Sequence, residues 1–281
     1  MATPLAERLE SLRGEIARLG PGGPALQASQ FRVDRPVLAP LFAAGQVFGG
    51  LHEIVAAGTR DLFAAAGFAL DFAAACARVR SRAGFVLIVE DFAAWETGLP
   101  YGPGLALAGL NPARVLLVRT HEPKETLLAM ETALRSRAVA GVLAESAIAP
   151  RLYDLATSRR LLLAARSGGG AALFLPVALA GHAAKLSSAA TARFEIARAR
   201  SRAIPFGRAR LPMPGRPAFA WRLLKAPGGL TDAAARSREQ WRAGVFGIPL
   251  DEAAFHAFSF DLPAVPADRP GAPAREVRRI A

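Results

Sequence analysis

Gly50-Leu51-His52-Glu53-Ile54-Val55-Ala56-Ala57-Gly58-Thr59-Arg60-Asp61-Leu62 is the stretch on which the fold turns. Its first half is apolar and reads as a strand over Leu51–Val55. The long Ala- and Phe-rich run behind it reads as a helix over Asp61–Arg80. A glycine-containing turn between such a strand and helix is where a phosphate-binding loop sits. That loop reads G-x-x-x-x-G-K-[ST], because backbone N–H groups wrap the phosphates, the Lys neutralises charge and the hydroxyl ligates Mg²⁺. Here one glycine of the loop remains and no Lys follows it. The positions Gly58, Thr59, Arg60 and Asp61 therefore form a degenerate phosphate loop. Arg60 supplies a positive charge, but Asp61 sets a carboxylate at the phosphate position. An ordinary strand-turn-helix connection reads these residues at least as well as ATP binding does.

Working outward, strands over Phe85–Glu90, Val115–Arg119, Val139–Ala144 and Ala171–Leu175 alternate with helices. One helix is short, near Leu105. One opens at Pro123 and carries Leu127, Leu128, Met130 and Leu134 on its apolar side, and one spans Pro150–Arg166. Such alternation predicts an α/β fold with a mainly parallel sheet between helices. From Ala192 the period becomes two: Phe194 and Ile196 alternate with Glu195 and Ala197, and Phe219, Trp221 and Leu223 with Ala220 and Arg222. With no helix between them these read as late antiparallel strands at one sheet edge, joined by a Pro/Gly/Arg loop over Ile204–Pro217. Beyond Pro227 one short helix is expected around Ala233–Arg242, and disorder after 263.

Ahead of the core, Thr3-Pro4 is a helix start, with Thr as N-cap and Pro at the first helical position. Leu5, Leu9, Leu12, Ile16 and Leu19 then form one apolar seam. The expected organisation is an N-terminal docking helix over 1–20, a linker over 21–29, a core over 30–225 and a C-terminal extension over 226–281. A helix this short is marginal alone, so its seam docks on this protein, a second copy or a partner.

The totals narrow the function. The 281 residues suffice for a substantial core, and the lone Cys76 excludes a disulfide framework or a Cys-based metal site. No secretory signal is visible, and the apolar run from Leu62 to Ala77 is broken by Asp71. A cytoplasmic protein without a membrane span is therefore expected. The net charge of +12 points to an anionic partner, but 32 Arg against 3 Lys reflects compositional bias as much as function. Between Arg193 and Lys225 nine basic residues face one acid, Glu195. Arg198, Arg200, Arg202, Arg208 and Arg210 are the candidate nucleic-acid contacts, with a solvated basic face as the alternative. His52, His121, His182 and His256 are scattered, so no metal site is expected. No G-x-S-x-G elbow or paired-carboxylate motif suggests catalysis, and Ser187-Ser188 reads as a loop end bonded to local backbone.

Three groups of residues carry a resemblance. Gly50-Leu51-His52-Glu53-Ile54 resembles the strand before the P-loop of the RecA core. Ala133 to Ser146 resembles the helix and strand ending in its Walker B acid, and Phe194 to Arg198 with Phe219 to Leu224 resemble its late antiparallel strands. More narrowly, Gly50–Ile54, Tyr101–Leu105 through Gly109–Arg119, and Ser187–Phe194 are similar to the ImuA family, RecA-like accessory proteins of bacterial error-prone mutasomes. The similarity runs from about residue 30 to 225.

What the resemblance implies departs from RecA at the chemistry. Glu145 stands where the Walker B Asp would, and reads as a polar strand end. Glu90 and Asp91, at the place of a water-activating carboxylate, read as solvated acids, and Tyr101 reads as loop packing. The first RecA DNA loop is absent, since Ser146 passes almost directly into Pro150. The second shrinks to Pro176–Ser187, with Lys185 and His182 as donors. The implied function is a non-catalytic, cofactor-free adaptor in SOS-induced translesion synthesis, docking an ImuB-like polymerase homologue and an error-prone DNA polymerase through the N-terminal seam and the antiparallel edge. RecA, a second copy of this chain and non-specific DNA remain open as further partners. Two alternatives stay open: a DNA-binding RecA paralogue with weak ATP binding, and a SulA-like cell-division inhibitor.

Overall fold

The computed structural model describes residues 38–81, 83–201, 204–206, 211–213, 217–226 and 242–245. The N-terminal seam, the linker, Arg202, Arg208, Arg210 and the chain from 246 onward lie outside the described residues.

Five parallel strands form the heart of the sheet: β1 (Leu51–Ala56), β2 (Gly84–Glu90), β3 (Val115–Thr120), β4 (Val139–Ser146) and β5 (Ala171–Pro176). β6 (Ala192–Ala199) joins them, parallel to β1. The short strands β7 (Ile204–Phe206) and β8 (Leu211–Met213) pair separately, and β9 (Ala218–Lys225) and β10 (Arg242–Val245) complete the main sheet. Its order is β10-β9-β6-β1-β5-β4-β2-β3, with β9 antiparallel to both β6 and β10. This is the expected α/β class with late antiparallel strands at one edge. The segment read as a loop over Ile204–Pro217 contains the β7–β8 pair, and Arg242, placed by the sequence in a helix, belongs to β10.

β1, β2, β4 and β5 are buried almost throughout, as parallel strands between helices must be. After a leading helix α1 (Ala39–Ala43), α2 (Leu62–Val79) covers one face. Phe68 and Phe72 of α2 meet Phe194 of β6 at 5.2 and 6.1 Å between ring centroids, and Phe68 meets Phe219 of β9 at 5.3 Å. The late antiparallel strands are thereby locked to the first helix. α2 is long and apolar enough to cross a membrane by composition, but its inner side is buried in this core. The opposite face holds α5 (Pro123–Leu134) and α6 (Leu155–Gly168), with Met130, Leu134, Leu161 and Phe174 buried beneath them. Two small helices, α3 (Asp91–Thr97) and α4 (Gly102–Ala108), fill the β2–β3 connection.

Two readings need correction. Leu128 is 62% exposed, because only Leu127, Met130 and Leu134 share the i, i+3, i+7 stripe. α6 does not start at Pro150: Pro150–Leu152 is a separate 3₁₀ turn, and Asp154 caps the helix by accepting the Thr157 amide at 2.8 Å.

Candidate functional site

In parallel α/β sheets, ligands gather outside the carboxyl ends of the strands. At the end of β1 the turn is tight. The Ala57 amide donates to Ile196 O at 2.8 Å, Gly181 N donates to Ala56 O at 2.9 Å, and Thr59–Asp61 is one 3₁₀ turn. Gly58 is extended, a conformation open to any residue. Thr59 and Arg60 are exposed. Asp61 Oδ1 accepts the Arg198 amide at 3.0 Å and lies 4.0 Å from Arg198 Nε, so the carboxylate expected at the phosphate position is engaged by the end of β6. With this tie, with no Lys in the turn and with its one hydroxyl, Thr59, ahead of Arg60-Asp61, the turn lacks the Lys-Ser/Thr pair of a phosphate loop.

Of the two acids read as solvated, Asp91 is accessible to solvent and Glu90 is not. Glu90 is buried, and its Oε2 accepts from Ser146 Oγ at 2.6 Å and from the Ala147 amide at 2.8 Å, clasping β2 to β4. Asp91 accepts from Arg119 Nη2 at 2.5 Å and bonds His121 Nδ1 at 2.8 Å; these partners hold it below its usual range. Glu145 is also buried, and desolvation pushes its carboxyl up to about 7. Thr97 Oγ1 lies 3.0 Å from Glu145 Oε2 and 2.8 Å from Ala93 O. One hydroxyl proton satisfies both contacts when Glu145 is protonated and donates to Thr97. Glu145 lines a cleft of about 280 Å³ between α2 and the Thr97–Tyr101 loop, with Leu70, Leu99 and Leu105 among its walls. Tyr101, read as loop packing, is 66% exposed at this cleft.

Sequence reasoning missed a buried, densely bonded cluster among the described residues. Glu53 of β1 and Arg193 of β6 stand in register and form a buried ion pair, Nε to Oε2 at 2.6 Å. Tyr153 donates to Glu53 Oε1 at 2.6 Å. Arg193 Nη1 donates to Ala183 O and Leu186 O, and Nη2 to Ser188 Oγ at 2.8 Å. This ties down the shortened loop after β5. The pair joins two of the three segments that carried the resemblance, Gly50–Ile54 and Ser187–Phe194. A charged residue inside an otherwise apolar strand was the available signal. His52, beside Glu53, is buried with Nε2 3.0 Å from Val47 O, the structural role expected, and burial lowers its pKa to about 4. Ser188 also bonds local backbone, accepting from the Ala190 amide.

The same contacts divide the basic stretch. Arg193 is internal, Arg222 pairs with Glu195 across β6 and β9, and Lys225 Nζ donates to Ser188 O at 2.7 Å. Of the five candidate nucleic-acid contacts, Arg198 and Arg200 are exposed at the end of β6, with Arg198 already tied to Asp61. Apolar side chains are also exposed at the other edge of the sheet. Leu116 and Leu117 of edge strand β3 are 61% and 41% exposed, and Leu116 shares with Leu128 a groove of about 480 Å³ between β3 and α5.

No protein-family model matches the chain. Protein ImuA from two strains of Caulobacter vibrioides, NA1000 / CB15N and ATCC 19089 / CIP 103742 / CB 15, is 36% identical over 126 residues. That match covers 45% of this chain and 48% of each relative, so the chain spans about half the length of the curated relatives it matches. Among solved structures, SulA from Pseudomonas aeruginosa overlaps 38% of this chain and 82% of its own, at 21% identity and a TM-score of 0.30, too slight a likeness to bear an argument.

Proposed function

We infer the function of this chain from its assignment to the ImuA family, which the 126-residue match supports: it takes part in damage-induced mutagenesis by translesion synthesis. Within that system we propose a cytoplasmic adaptor without nucleotide turnover. It docks an ImuB-like polymerase homologue and an error-prone DNA polymerase. The observation that carries this reading is the β1–α2 turn, where the chain's own Asp61 is tied to β6 and Arg60-Asp61 stands in place of the Lys-Ser/Thr pair of a phosphate loop. A fold of this class without its phosphate cradle retains packing surfaces, and the exposed β3–α5 groove is an apolar one to offer. The exposed Leu116 and Leu117 of edge strand β3 give a polymerase component an apolar surface to cover. This adds the parallel edge to the N-terminal seam and the antiparallel edge that the sequence favours as docking surfaces.

Co-purification of the tagged full-length chain from damage-treated cells tests the reading. Polymerase components are expected, and Leu116→Glu with Leu128→Glu should deplete them while leaving melting nearly unchanged. Recovery of FtsZ, or of neither, overturns the adaptor role. A ligand at a hundred times its Kd stabilises a fold by about 2.7 kcal/mol, or roughly 5–10 °C here. A shift of that size with Mg-ATP favours the weakly ATP-binding paralogue instead.

A further inference from the structure

The amino end of the parallel sheet carries a charge that the adaptor reading leaves unassigned. α2, α5 and α6 run back against the strands they connect, so their carboxyl ends gather beside the starts of β2, β4 and β5. Arg78 and Arg80 lie at the end of α2, Arg114 precedes β3, Arg137 sits in the α5–β4 turn and Arg166 is in the last turn of α6. The stretches that make this end of the sheet, 43–50, 78–84, 108–115, 134–139 and 166–171, contain no Asp or Glu. Contacts join them into one surface. Arg80 stacks on Phe48, its Cζ 4.3 Å from the ring centroid, and reaches Gly169. Arg166 packs on Gly49, whose amide donates to Gly170 O at 2.9 Å. Arg78 reaches Gly109, Arg114 Nη1 donates to Ser81 O at 2.8 Å, and the Gly84 amide donates at 3.0 Å to Ala138 O, next to Arg137. Among the described residues these five arginines have no carboxylate partner, whereas nearby Arg135 and Arg160 share Glu131.

Arginines at helix ends complement the helix dipole, which explains part of this charge. A helix end carries roughly half a negative charge, so the ends of α2, α5 and α6 offset fewer than two of the five. Arg114 and Arg137 lie outside these helices altogether. Among the described residues the exposed aromatic side chains, Phe63, Phe92, Trp95 and Tyr101, all follow the carboxyl ends of β1 and β2, at the opposite end of the sheet. The arginine face thus offers phosphate contacts with no platform for stacking bases and no aromatic anchor for a bilayer.

We propose that this face binds the phosphate backbone of duplex DNA without reading its sequence. The guanidinium fork meets phosphate oxygens bidentately. The starts of the five parallel strands, about 4.8 Å apart, span roughly 19 Å, which suits a run of phosphates and is too wide for one small anion. The face lies at the opposite end of the strands from Arg198 and Arg200, because β6 runs parallel to β1 and carries them at its carboxyl end. It acts whether or not a polymerase component covers the β3–α5 groove.

The test is a fluorescent duplex of mixed sequence, two helical turns long, titrated with the full-length chain across a salt series. Binding is expected at low salt, and a second duplex of unrelated sequence should bind equally well. Arg137→Ala with Arg166→Ala, both at exposed side chains, should flatten the slope of log K against log salt by about 1.8 while the chain stays folded. Arg137→Lys with Arg166→Lys should restore the slope, since it counts charges. Arg200→Ala should leave it unchanged. No binding at low salt, an unchanged slope in the folded alanine pair, or a lysine pair that behaves like the alanine pair overturns the proposal. Flattening by Arg200→Ala alone does so as well, and returns the contact to β6. Binding to phosphatidylserine vesicles but not to the duplex also overturns it, making an anionic membrane the occupant. If the alanine pair does not fold, Arg137→Ala alone decides, with a flattening of about 0.9 expected and none overturning it.

Discussion

Glu145 and His52 are buried groups whose titrations oppose each other. Glu145 holds its proton to about pH 7 in the folded chain against an ordinary 4.5, so its contribution is complete below 4.5 and is lost as pH rises to 7. His52 is depressed to about 4 from 6.5, so its contribution is complete above 6.5 and is lost as pH falls to 4. Each amounts to about 3 kcal/mol over its window. Between 4.5 and 6.5 the two slopes cancel. Urea midpoints should therefore show Glu145→Gln gaining stability relative to the parent chain as pH rises from 4.5 to 7, and His52→Gln gaining relative to it as pH falls from 6.5 to 4. A parent-minus-variant difference that is flat with pH in either case refutes the burial assigned to that group. The Glu53–Arg193 pair makes a pH-independent prediction. Glu53→Gln leaves a buried guanidinium without its counter-charge and should cost about 3–5 kcal/mol. Arg193→Met should in addition release the carbonyls of Ala183 and Leu186, read as faster amide exchange over the loop after β5. Unchanged exchange there dissociates the clamp from the loop. Glu53 interrupts an apolar strand, but its partner stands 140 residues away, and no local pattern identifies a contact at that separation.

Strand periods and turn residues were readable because they are local. The five parallel strands, the Pro123 helix start and the Phe194/Phe219 alternation all appear within a residue or two of expectation. Misreadings occurred where tertiary contacts decide. Pro150 looked like a helix start, yet Asp154 has the side chain that caps one. Leu128 looked like core, although it lies off the stripe of Met130 and Leu134. Gly168 ends α6 without any sign of why glycine is needed. A Cβ there would lie 1.9 Å from Leu134 O at the end of α5, so the two helix ends meet backbone to backbone. Replacing a helical Gly by Ala ordinarily gains up to about 1 kcal/mol. Here the overlap must be relieved by moving helices, at about 1–3 kcal/mol, so the sign reverses. Gly168→Ala should lower the melting temperature, and a raised one shows that the α5–α6 ends are looser than described.

At the scale of the whole molecule, the charge of +12 says less about DNA than its size suggests. Arg193, Arg222 and Lys225 are spent inside the fold or across the β6–β9 pair, which leaves Arg198 and Arg200 as the described exposed cations of the basic stretch. A phosphate contact contributes about −0.9 to the slope of log K against log salt on duplex DNA. If the chain binds duplex DNA through this stretch, Arg200→Ala should flatten the slope by about 0.9. Arg198→Ala should flatten it less than one full contact, because Asp61 already shares that charge. Arg222→Ala should leave the slope unchanged in the folded fraction and instead lower stability, since it strands Glu195, which is buried between β6 and β9. Filter binding across a salt series, with melting measured alongside, separates these outcomes. A slope that flattens with Arg222→Ala at unchanged stability means that the guanidinium leaves Glu195 for phosphate, and the division of this stretch into internal and external charge fails. A slope untouched by Arg200→Ala moves the DNA contact off β6 altogether.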